Sequence, residues 1–378
     1  MKIAHFTDSF FSKNGVSTYV TVTAIELIKR GHQLLIVAPK YDHSSNEEEA
    51  EKQFNCQFVL LPSVAAIPYP DFRIAAPTPQ SFLKLKKFNP DIIHLHTPGP
   101  VGLEGLLTTK ALKTVLVSTF HTYFMEPEGF QVVGIKRDSV ASPLLNRALW
   151  QLAAHFHKPC QAIIAPTKYV AKDLHSRWSN SRIETIPGGI SVAKFAQTDS
   201  RVKLRRQYHI RDDEQVLLWV GRLSYEKNLD VLVEACALAL ETNQRIKLVM
   251  VGDGPARRSL EYMIKALELS DRVVITGLVS YQTLMDENLY ALADLFVTAS
   301  TYDTQGLSII EAMAAGLPVI APNVKAMPEL VKGNGLLVKP FSSKAMASAI
   351  NRLLGNHKLY QRYVKKAREK AQLYSVEK

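Results

Sequence analysis

The stretch "KLVMVGDGPARRSLE", residues 247–261, runs from a short apolar strand through a loop with two glycines into a helix. Gly252 and Gly254 lie in the loop, and Pro255 is suited to the first helical position. Runs of the same kind recur around it in "VLLWVGR", "RVVITG", "LFVTAS" and "PVIAPN". Short apolar strands that alternate with helices predict a parallel sheet covered by helices on both faces.

The same alternation fills the first half of the chain, in "KIAHFT", "LLIVAP", "DIIHLHTP", "VLVSTFH" and "AIIAPT". It pauses at "PGGISVAKFAQTDS", residues 187–200, which is suited to a linker. We therefore predict two doubly wound, Rossmann-like α/β domains, residues 1–190 and 191–355. A basic helix at residues 356–378 follows, which could pack on either domain.

The composition is that of an ordinary globular protein, with 47% hydrophobic and 21% charged residues in a chain of 378. No apolar run approaches the ~18 residues that a membrane span needs, and the first residues have no apolar signal core. The three cysteines lie far apart and lack CxxC spacing. We therefore expect a cytoplasmic chain without a structural disulfide or zinc site.

The net charge of +11 suits several partners, namely nucleic acid, anionic lipid or a phosphorylated small molecule. An ordinary basic surface would account for it equally well. Two segments that are both basic and apolar, residues 81–90 and 134–158, could lie on an anionic membrane or could pack normally with their lysines in water. Two others, residues 41–53 and 63–80, are polar or proline-rich and are predicted to be loops.

Polar residues concentrate where the strands of the second half end. In "VGRLSYEKNLD", Arg222 and Lys227 follow a strand and would suit a diphosphate, although a capped helix with solvated charges is the alternative. Gly252 and Gly254, and Leu278 in "TGLVS", occupy similar loops. Such loops either admit a ligand or are plain turns.

The stretch "TYDTQGLSIIEAMAAGLPVI", residues 301–320, contains a helix that starts after Gly306. The free N–H groups of Gly306, Leu307 and Ser308 form a candidate anion site. Glu311 lies about one turn further along among apolar residues, so we expect it to be partly buried and to bind ligand hydroxyls. A structural salt bridge is the alternative for this acid.

The first half offers a loop glycine and several histidines. Gly15 lies in "FTDSFFSKNGVSTYV" between a strand and a helix, but the stretch lacks the GxGxxG spacing of dinucleotide-binding folds, so an NAD site is disfavoured. His121 ends the strand "VLVSTFH", where it is either functional or structural. His94 and His96 face one side of a strand and no third ligand is placed by spacing, so no metal site is predicted.

As a set, "VGRLSYEKNLDVLVEA", "MVGDGPARRSLE", "ALADLFVTAS" and "DTQGLSIIEAMAAGLPVIA" resemble the retaining GT-B glycosyltransferases, the large family that includes glycogen and sucrose synthases and bacterial diacylglycerol glucosyltransferases. The resemblance covers nearly the whole chain, and "TQGL" and "NGVSTYV" are most similar to the lipid glycosyltransferases of the diacylglycerol type. It implies a GT-B architecture, in which two doubly wound domains face each other across a cleft. It also implies a C-terminal helix that continues beyond "LYSVEK" and crosses back to the first domain.

The resemblance implies roles for individual residues. Arg222 and Lys227 match the pair that holds the donor diphosphate and stabilises it as the leaving group. Glu311 matches the acid that binds the nucleotide ribose, and His121 matches the histidine that contacts the transferred sugar. The other donor-binding positions that it implies are Gly15, Gly306, Leu307 and Ser308 near the phosphates, and Gly252, Gly254 and Leu278 beside the base.

One position departs from the family pattern. The family has Glu-x7-Glu, and its first acid contacts the donor sugar, whereas Asp303 occupies that position in this chain. Aspartate is one methylene shorter, so the choice of sugar or the rate is expected to differ.

The resemblance implies a retaining hexosyltransferase that moves glucose from a UDP-sugar to a membrane lipid such as diacylglycerol. No Asp-x-Asp motif stands at a strand end, so we expect cationic residues to replace a divalent ion and no cofactor to be used. The expected partners are the donor, a lipid or glycan acceptor, and an anionic membrane surface such as the inner face of the plasma membrane. Nucleic acid would explain the charge but not the strand-end residues.

Two other functions stay open. One is a soluble glycosyltransferase with a glycan or small-molecule acceptor. The other is a non-catalytic scaffold of the same fold, which the shorter acid Asp303 favours and the retained Arg222, Lys227 and Glu311 disfavour.

Overall fold

The fold is described from a computed structural model, which covers residues 1–12, 14–41, 46–66, 69–130, 142–196 and 199–378. Within these ranges the chain divides into two units, Met1–Gly188 and Gly189–Lys378. Each unit contains a parallel sheet with helices between its strands, as the alternation of apolar strands and helices predicts.

The described strands of the first unit are β1 (Lys2–Phe6), β2 (Gln33–Pro39), β3 (Gln57–Leu61), β4 (Ser63–Ala66), β5 (Tyr69–Ala75), β6 (Ile92–Leu95), β7 (Val115–Thr119), β8 (Ala162–Ala165) and β9 (Ile183–Thr185). Its described helices are α1 (Gly15–Lys29), α2 (Glu47–Phe54), α3 (Pro79–Phe88), α4 (Pro100–Leu112), α5 (Pro127–Phe130), α6 (Ser142–His157) and α7 (Lys168–Arg177). Seven strands form a parallel sheet in the order β3-β2-β1-β6-β7-β8-β9, and β4 pairs with β5 in an antiparallel hairpin.

The middle of this sheet brings together histidines that are distant in sequence. β1 pairs with β6 so that Ile3 lies opposite Ile92 and His5 opposite His94, and β6 pairs in turn with β7. Because the carboxyl ends of parallel strands share one edge, the residues that follow β1, β6 and β7 come close together there.

The second unit begins with α8 (Val192–Phe195) and α9 (Arg201–Gln207). Its described strands are β10 (Gln215–Val220), β11 (Ile246–Val251), β12 (Val273–Ile275), β13 (Leu295–Val297), β14 (Val319–Pro322) and β15 (Gly335–Val338). Its remaining helices are α10 (Leu229–Leu240), α11 (Arg257–Ala266), α12 (Tyr281–Asp286), α13 (Leu307–Ala314), α14 (Met327–Val331), α15 (Ser343–Leu354) and α16 (His357–Ala371), with 3₁₀ turns at Tyr225–Lys227, Leu289–Leu292 and Gln372–Tyr374. The six strands are parallel, in the order β12-β11-β10-β13-β14-β15.

The strands of the second unit are apolar at successive positions because helices cover both faces of the sheet. Val216 and Leu218 of β10 belong to an apolar cluster on one face, together with residues of α13 and α16. Leu217 and Trp219 belong to a cluster on the opposite face, with residues of α10, α11 and α15. Side chains alternate between faces along a strand, so a strand buried on both sides reads as a continuous apolar run.

The prediction that residues 41–53 and 63–80 form loops is wrong in part. Residues 47–54 form α2, which Asn46 caps by accepting a hydrogen bond from the backbone N–H of Glu48. Three glutamates in its first turn favour the positive end of the helix dipole. Residues 63–66 and 69–75 form the β4–β5 hairpin, in which Val64 pairs with Ile74. Residues 42–45 and 67–68 lie outside the described ranges, as do residues 134–141 of the predicted membrane segment 134–158.

The C-terminal helix α16 packs within the second unit. It contacts α13 and α15, and its residues Ala367 and Ala371 are fully buried in the apolar cluster that contains α13. After it, Tyr374 accepts a hydrogen bond from the N–H of Ile190 at 2.9 Å, and the N–H of Val376 donates to Ile190 at 3.1 Å. These bonds join the end of the described chain to the start of the unit.

None of the helices in the described ranges combines the length and the apolar character that crossing a bilayer requires.

Candidate active site

Arg222 is held at the carboxyl end of β10 by a buried acid. Its Nη2 lies 3.3 Å from Oε1 of Glu226, and Ser224 Oγ donates to the same oxygen at 2.6 Å. Glu226 is only 2% exposed, so its charge requires these partners. The guanidinium is therefore fixed at the strand end by contacts that the "VGRLSYEK" motif did not reveal.

Lys227 reaches the loop that follows β13 and forms an ion pair there. Its Nζ lies 2.5 Å from Oδ1 of Asp303, a residue 76 positions further along the chain. Burial alone would raise the pKa of Asp303, but the charge and the hydrogen bond of Lys227 lower it below its ordinary value. The carboxylate is therefore ionised at neutral pH, with the ammonium as its counter-ion.

Asn228 fixes the geometry of this ion pair. Its backbone has a left-handed φ of 50°, which asparagine tolerates better than most residues. Its Nδ2 donates to the carbonyl of Ala299 at 3.2 Å and to Oγ1 of Thr301 at 3.3 Å. Both acceptors lie in the loop that carries Asp303, so this loop is tied to the turn that carries Lys227.

A third cation, Lys325, stands at the same edge of the sheet and was missed by the motifs. It follows β14, which is the neighbour of β13, and its charge helps to lower the pKa of Asp303. Its Nζ is buried and its φ of 49° is left-handed. A non-glycine residue in this conformation carries strain, which is common at functional sites.

The helix α13 begins directly after the loop of Asp303. Gly306 precedes it with a left-handed φ of 72°, a conformation that glycine adopts without strain. No side chain of the described residues caps this end of the helix. The N–H groups of Leu307 and Ser308 in the first turn have no acceptor within the helix, as the anion-site prediction requires.

Glu311 lies on the buried face of α13 and is 3% exposed. Tyr290 donates its hydroxyl to Oε2 of Glu311 at 2.5 Å. Burial raises the pKa of Glu311 to about 7, although hydrogen bonds from Tyr290 and Tyr281 act in the opposite direction. Among the described residues Glu311 has phenol partners and makes no ion pair, so the alternative of a structural salt bridge is not supported.

Gly252 and Gly254 are required by the packing of two loops. Their φ angles are 144° and 156°, in the region that favours glycine. A Cβ on Gly252 would lie 1.8 Å from the carbonyl oxygen of Gly221, and one on Gly254 would lie 2.5 Å from that of Leu223. The glycines thus let the loop after β11 pack on the loop after β10, and this contact explains them without a ligand.

Two other predicted positions lie near these loops. Leu278 is exposed on the segment that follows β12. Pro255 precedes α11, which begins at Arg257, so the prediction that it is the first helical residue is wrong by two positions.

In the first unit, His121 belongs to a chain of hydrogen-bonded histidines. Its Nε2 lies 3.0 Å from Nδ1 of His96, and Nε2 of His96 lies 2.7 Å from Nδ1 of His5. His94 bonds instead to Oγ1 of Thr119, at 2.8 Å. Burial lowers the pKa of His5 to about 4 and that of His121 to about 3, so these rings are neutral at physiological pH.

One ring nitrogen from each of His5, His94 and His96 lies within 4.8 Å of the other two, which is the kind of cluster that can bind a metal ion. Local spacing could not place His5, since it belongs to the neighbouring strand β1. Zinc–nitrogen bonds of about 2.0–2.1 Å in tetrahedral geometry put two ligand nitrogens about 3.3 Å apart. The His5–His96 separation of 2.7 Å is instead a hydrogen-bond distance, so the arrangement fits a shared proton better than an ion.

Gly15 is the first residue of α1, the helix that carries Tyr19. Asn14 caps the helix by accepting from the N–H of Ser17 at 3.0 Å. Among the described residues outside its own helix and chain neighbours, no heavy atom lies within 4 Å of the position that a Cβ on Gly15 would take. Tyr19, one turn further on, packs its ring against His121 with centroids 4.6 Å apart.

Comparison with known proteins identifies the family. Residues 13–194 match the model of glycosyltransferase family 4, and residues 200–370 match that of glycosyl transferases group 1. The alpha-monoglucosyldiacylglycerol synthase of Streptococcus pneumoniae is 31% identical over 85% of this chain and 71% of its own length. The chain therefore belongs to the GT-B glycosyltransferase family that these two models and this relative represent.

Two further relatives of the glycosyltransferase extend the comparison. A GDP-mannose-dependent alpha-mannosyltransferase of Mycobacterium tuberculosis is 28% identical over 88% of this chain and 81% of its own length. The crystal structure of Anabaena Alr3699/HepE in complex with UDP-glucose has a TM-score of 0.78 at 21% identity, over 100% of this chain and 96% of that one. The GT-B fold and the family that the sequence motifs implied are thereby confirmed.

Proposed function

We propose that this glycosyltransferase is a retaining, metal-independent hexosyltransferase that moves glucose from UDP-glucose to a membrane lipid such as diacylglycerol. The observation that carries the proposal is the pair of Lys227 and Asp303, whose charged atoms lie 2.5 Å apart. Lys227 lies in the segment after β10 that also carries Arg222, and Asp303 lies in the loop that leads into α13. A nucleotide diphosphate gains negative charge as its bond to the sugar breaks. Fixed cations and free helix N–H groups at this edge would stabilise that charge without a divalent ion.

The acids of the site would have different tasks. Asp303 is ionised beside Lys227 and would accept hydrogen bonds from sugar hydroxyls. Glu311, one helical turn into α13, would accept from the ribose hydroxyls. Because Glu311 accepts a hydrogen bond from Tyr290 and Asp303 is paired with Lys227, neither acid is placed as a nucleophile. This supports attack by the acceptor on the face that the leaving group departs from, with retention of configuration, rather than a covalent intermediate.

The relatives support the choice of substrates. Diacylglycerol glucosylation is named for the pneumococcal relative, and UDP-glucose is bound in the Anabaena structure. The mycobacterial relative is named for GDP-mannose, which makes a mannosyl donor the competing candidate.

We expect the purified protein to turn over UDP-glucose faster than UDP-galactose or GDP-mannose when diacylglycerol vesicles are present. Nucleotide release is measured with each donor, and EDTA should change the rate by less than about twofold because cations hold the diphosphate. A preference for GDP-mannose would overturn the donor assignment. Release of no nucleotide by the folded protein would favour the hypothesis of a non-catalytic scaffold.

With the same three donors, the variant Asp303→Glu should change the transfer rate or the sugar preference by about tenfold or more, since a displaced hydrogen-bond group misorients the sugar.

An exposed apolar face on the first unit supports a lipid surface as partner. Leu103 and Leu107, each 57% exposed, project from the same side of α4, and Leu83 on the adjacent α3 is 62% exposed. α3 also exposes Lys86 and Lys87. Apolar side chains with lysines around them are the pattern of a helix that lies on an anionic membrane.

The protein should float with vesicles that contain an anionic lipid and should stay unbound with neutral vesicles. The double variant Leu103→Ser, Leu107→Ser should bind much more weakly, because each leucine contributes about 1.5–3 kcal/mol when its side chain leaves water. Tyr262→Ser is the matched control, since Tyr262 is 79% exposed on the second unit. Wild-type protein that fails to float, or leucine and tyrosine variants that bind equally, would contradict the membrane proposal.

A further inference from the structure

The histidine chain of the first unit must have a direction. A neutral imidazole has one N–H donor and one acceptor lone pair. The two bonds that link His121 to His96 and His96 to His5 use both nitrogens of the middle ring. If His96 donates towards one neighbour, it must accept from the other, so the tautomers of all three rings are coupled.

The far end of the chain favours one direction. Nε2 of His5 is buried, and no described residue forms a hydrogen bond with it. If the protons pointed from His121 towards His5, this atom would be a buried N–H donor without an acceptor. If they point from His5 towards His121, only a lone pair is left unpaired. Orphaned buried N–H groups are rarer than under-satisfied acceptors.

The geometry points to His5 and His96 as positioning residues that hold His121 in the tautomer with its proton on Nδ1. His5 donates from Nδ1 to His96, and His96 donates from Nδ1 to Nε2 of His121. The remaining proton of His121 is then on Nδ1, so any group that meets this atom meets a hydrogen-bond donor. Burial keeps all three rings neutral, so the chain does not depend on a charged histidine.

The consequence for transfer rests on the proposed function, in which His121 contacts the sugar. A neutral Nδ1–H would donate to a sugar oxygen. Without His5, His96 could adopt either tautomer, and His121 would present a donor in only part of the molecules. His5 and His96 would then influence catalysis without touching the substrate.

The test is the tautomer of His121 in full-length protein labelled with ¹⁵N-histidine, read from ring nitrogen shifts and assigned by loss of the signal in His121→Asn. The wild-type ring should carry its proton on Nδ1. His5→Leu places an apolar residue on a buried strand and should give a mixture of tautomers. His5→Asn, whose side-chain N–H₂ replaces the Nδ1 donor, should restore the wild-type spectrum. His157→Phe is the control, because His157 is buried in the same unit but bonds to Ser118.

In the donor assay, His5→Leu should lower turnover about tenfold, which is the effect expected from the loss of one hydrogen bond in the transition state. The KM for the donor should stay within about twofold of the wild-type value. A wild-type His121 protonated on Nε2, or a His5→Leu spectrum identical to wild type, would overturn the inference. The wild-type spectrum alone decides the direction if His5→Leu does not fold. A changed tautomer with unchanged turnover would support the chain and would overturn the role of His121 in the proposed function.

Discussion

Lys227→Ala should lower glucose transfer by about a thousandfold or more, the largest effect that we expect from one substitution. Two causes act together. The ammonium that stabilises the leaving diphosphate is lost, and Asp303 loses the partner that now lies 2.5 Å from it, so that only Ser300 and Lys325 still favour its ionised form. The fraction of Asp303 that stays ionised beside the diphosphate would repel it. The measurement is kcat/KM for UDP-glucose, with circular dichroism to establish that the variant is folded.

Two further variants separate these causes. Lys227→Ala with Asp303→Asn removes the cation and the unpaired anion together, and it should be more active than Lys227→Ala alone if repulsion contributes. Lys332→Ala is the matched control, since Lys332 is an exposed lysine of the same unit. A Lys227→Ala enzyme that transfers glucose at a rate close to that of wild type would refute the diphosphate assignment.

Affinity for UDP-glucose should rise about tenfold between pH 6 and pH 8, because a carboxyl with a pKa of about 7 changes from mostly protonated to mostly ionised over this range. Only the ionised form of Glu311 can accept hydrogen bonds from both ribose hydroxyls. UDP-glucose is the suitable ligand for calorimetry, since its diphosphate diester has no proton to lose near neutral pH. His121, with a pKa of about 3, does not titrate there.

The contribution of Glu311 to folding stability should change with pH in the opposite direction to its contribution to UDP-glucose affinity. The folded protein binds the Glu311 proton more tightly than the unfolded chain does, so this group's contribution to the free energy of unfolding is complete below the ordinary value of 4.5 and falls as pH rises to about 7. Tyr290→Phe removes a hydrogen bond to the carboxylate, and it should move the midpoint of the binding curve to higher pH. Glu311→Gln should bind weakly at every pH. A wild-type affinity that does not change between pH 6 and pH 8 would contradict the assignment of Glu311 to the ribose.

Sequence patterns predict the strand ends and the polar residues that follow them, because both depend on residues close together in the sequence. Apolar runs such as β10 and β11 are continuous where both faces of a sheet are covered, and polar residues follow directly after them. Arg222, Lys227 and the start of α13 could therefore be placed at strand ends before their contacts were known. The acidic and polar composition of residues 41–53 predicts a loop, whereas the cap by Asn46 and the acidic first turn stabilise α2 there.

The hydrogen-bond and ion-pair partners of these residues could not be predicted from local sequence, since strand pairing and tertiary packing place them there. His5 meets His96 only through the pairing of β1 with β6, and Tyr290 meets Glu311 across 21 positions. Lys325 follows a different strand from Asp303. Such contacts decide whether a carboxyl is ionised or which ring nitrogen carries the proton, and both properties depend on burial and pairing rather than on local sequence.

The most direct test of the proposed function is transfer of labelled glucose from UDP-glucose into lipid. The protein is incubated with vesicles of diacylglycerol and anionic phospholipid in the presence of EDTA, and the organic extract is analysed for product and for its anomeric configuration. We expect label in a glucosyl lipid with the α configuration of the donor, and none with Lys227→Ala. Label that stays entirely in the aqueous phase, or a product with inverted configuration, would contradict a retaining lipid glucosyltransferase.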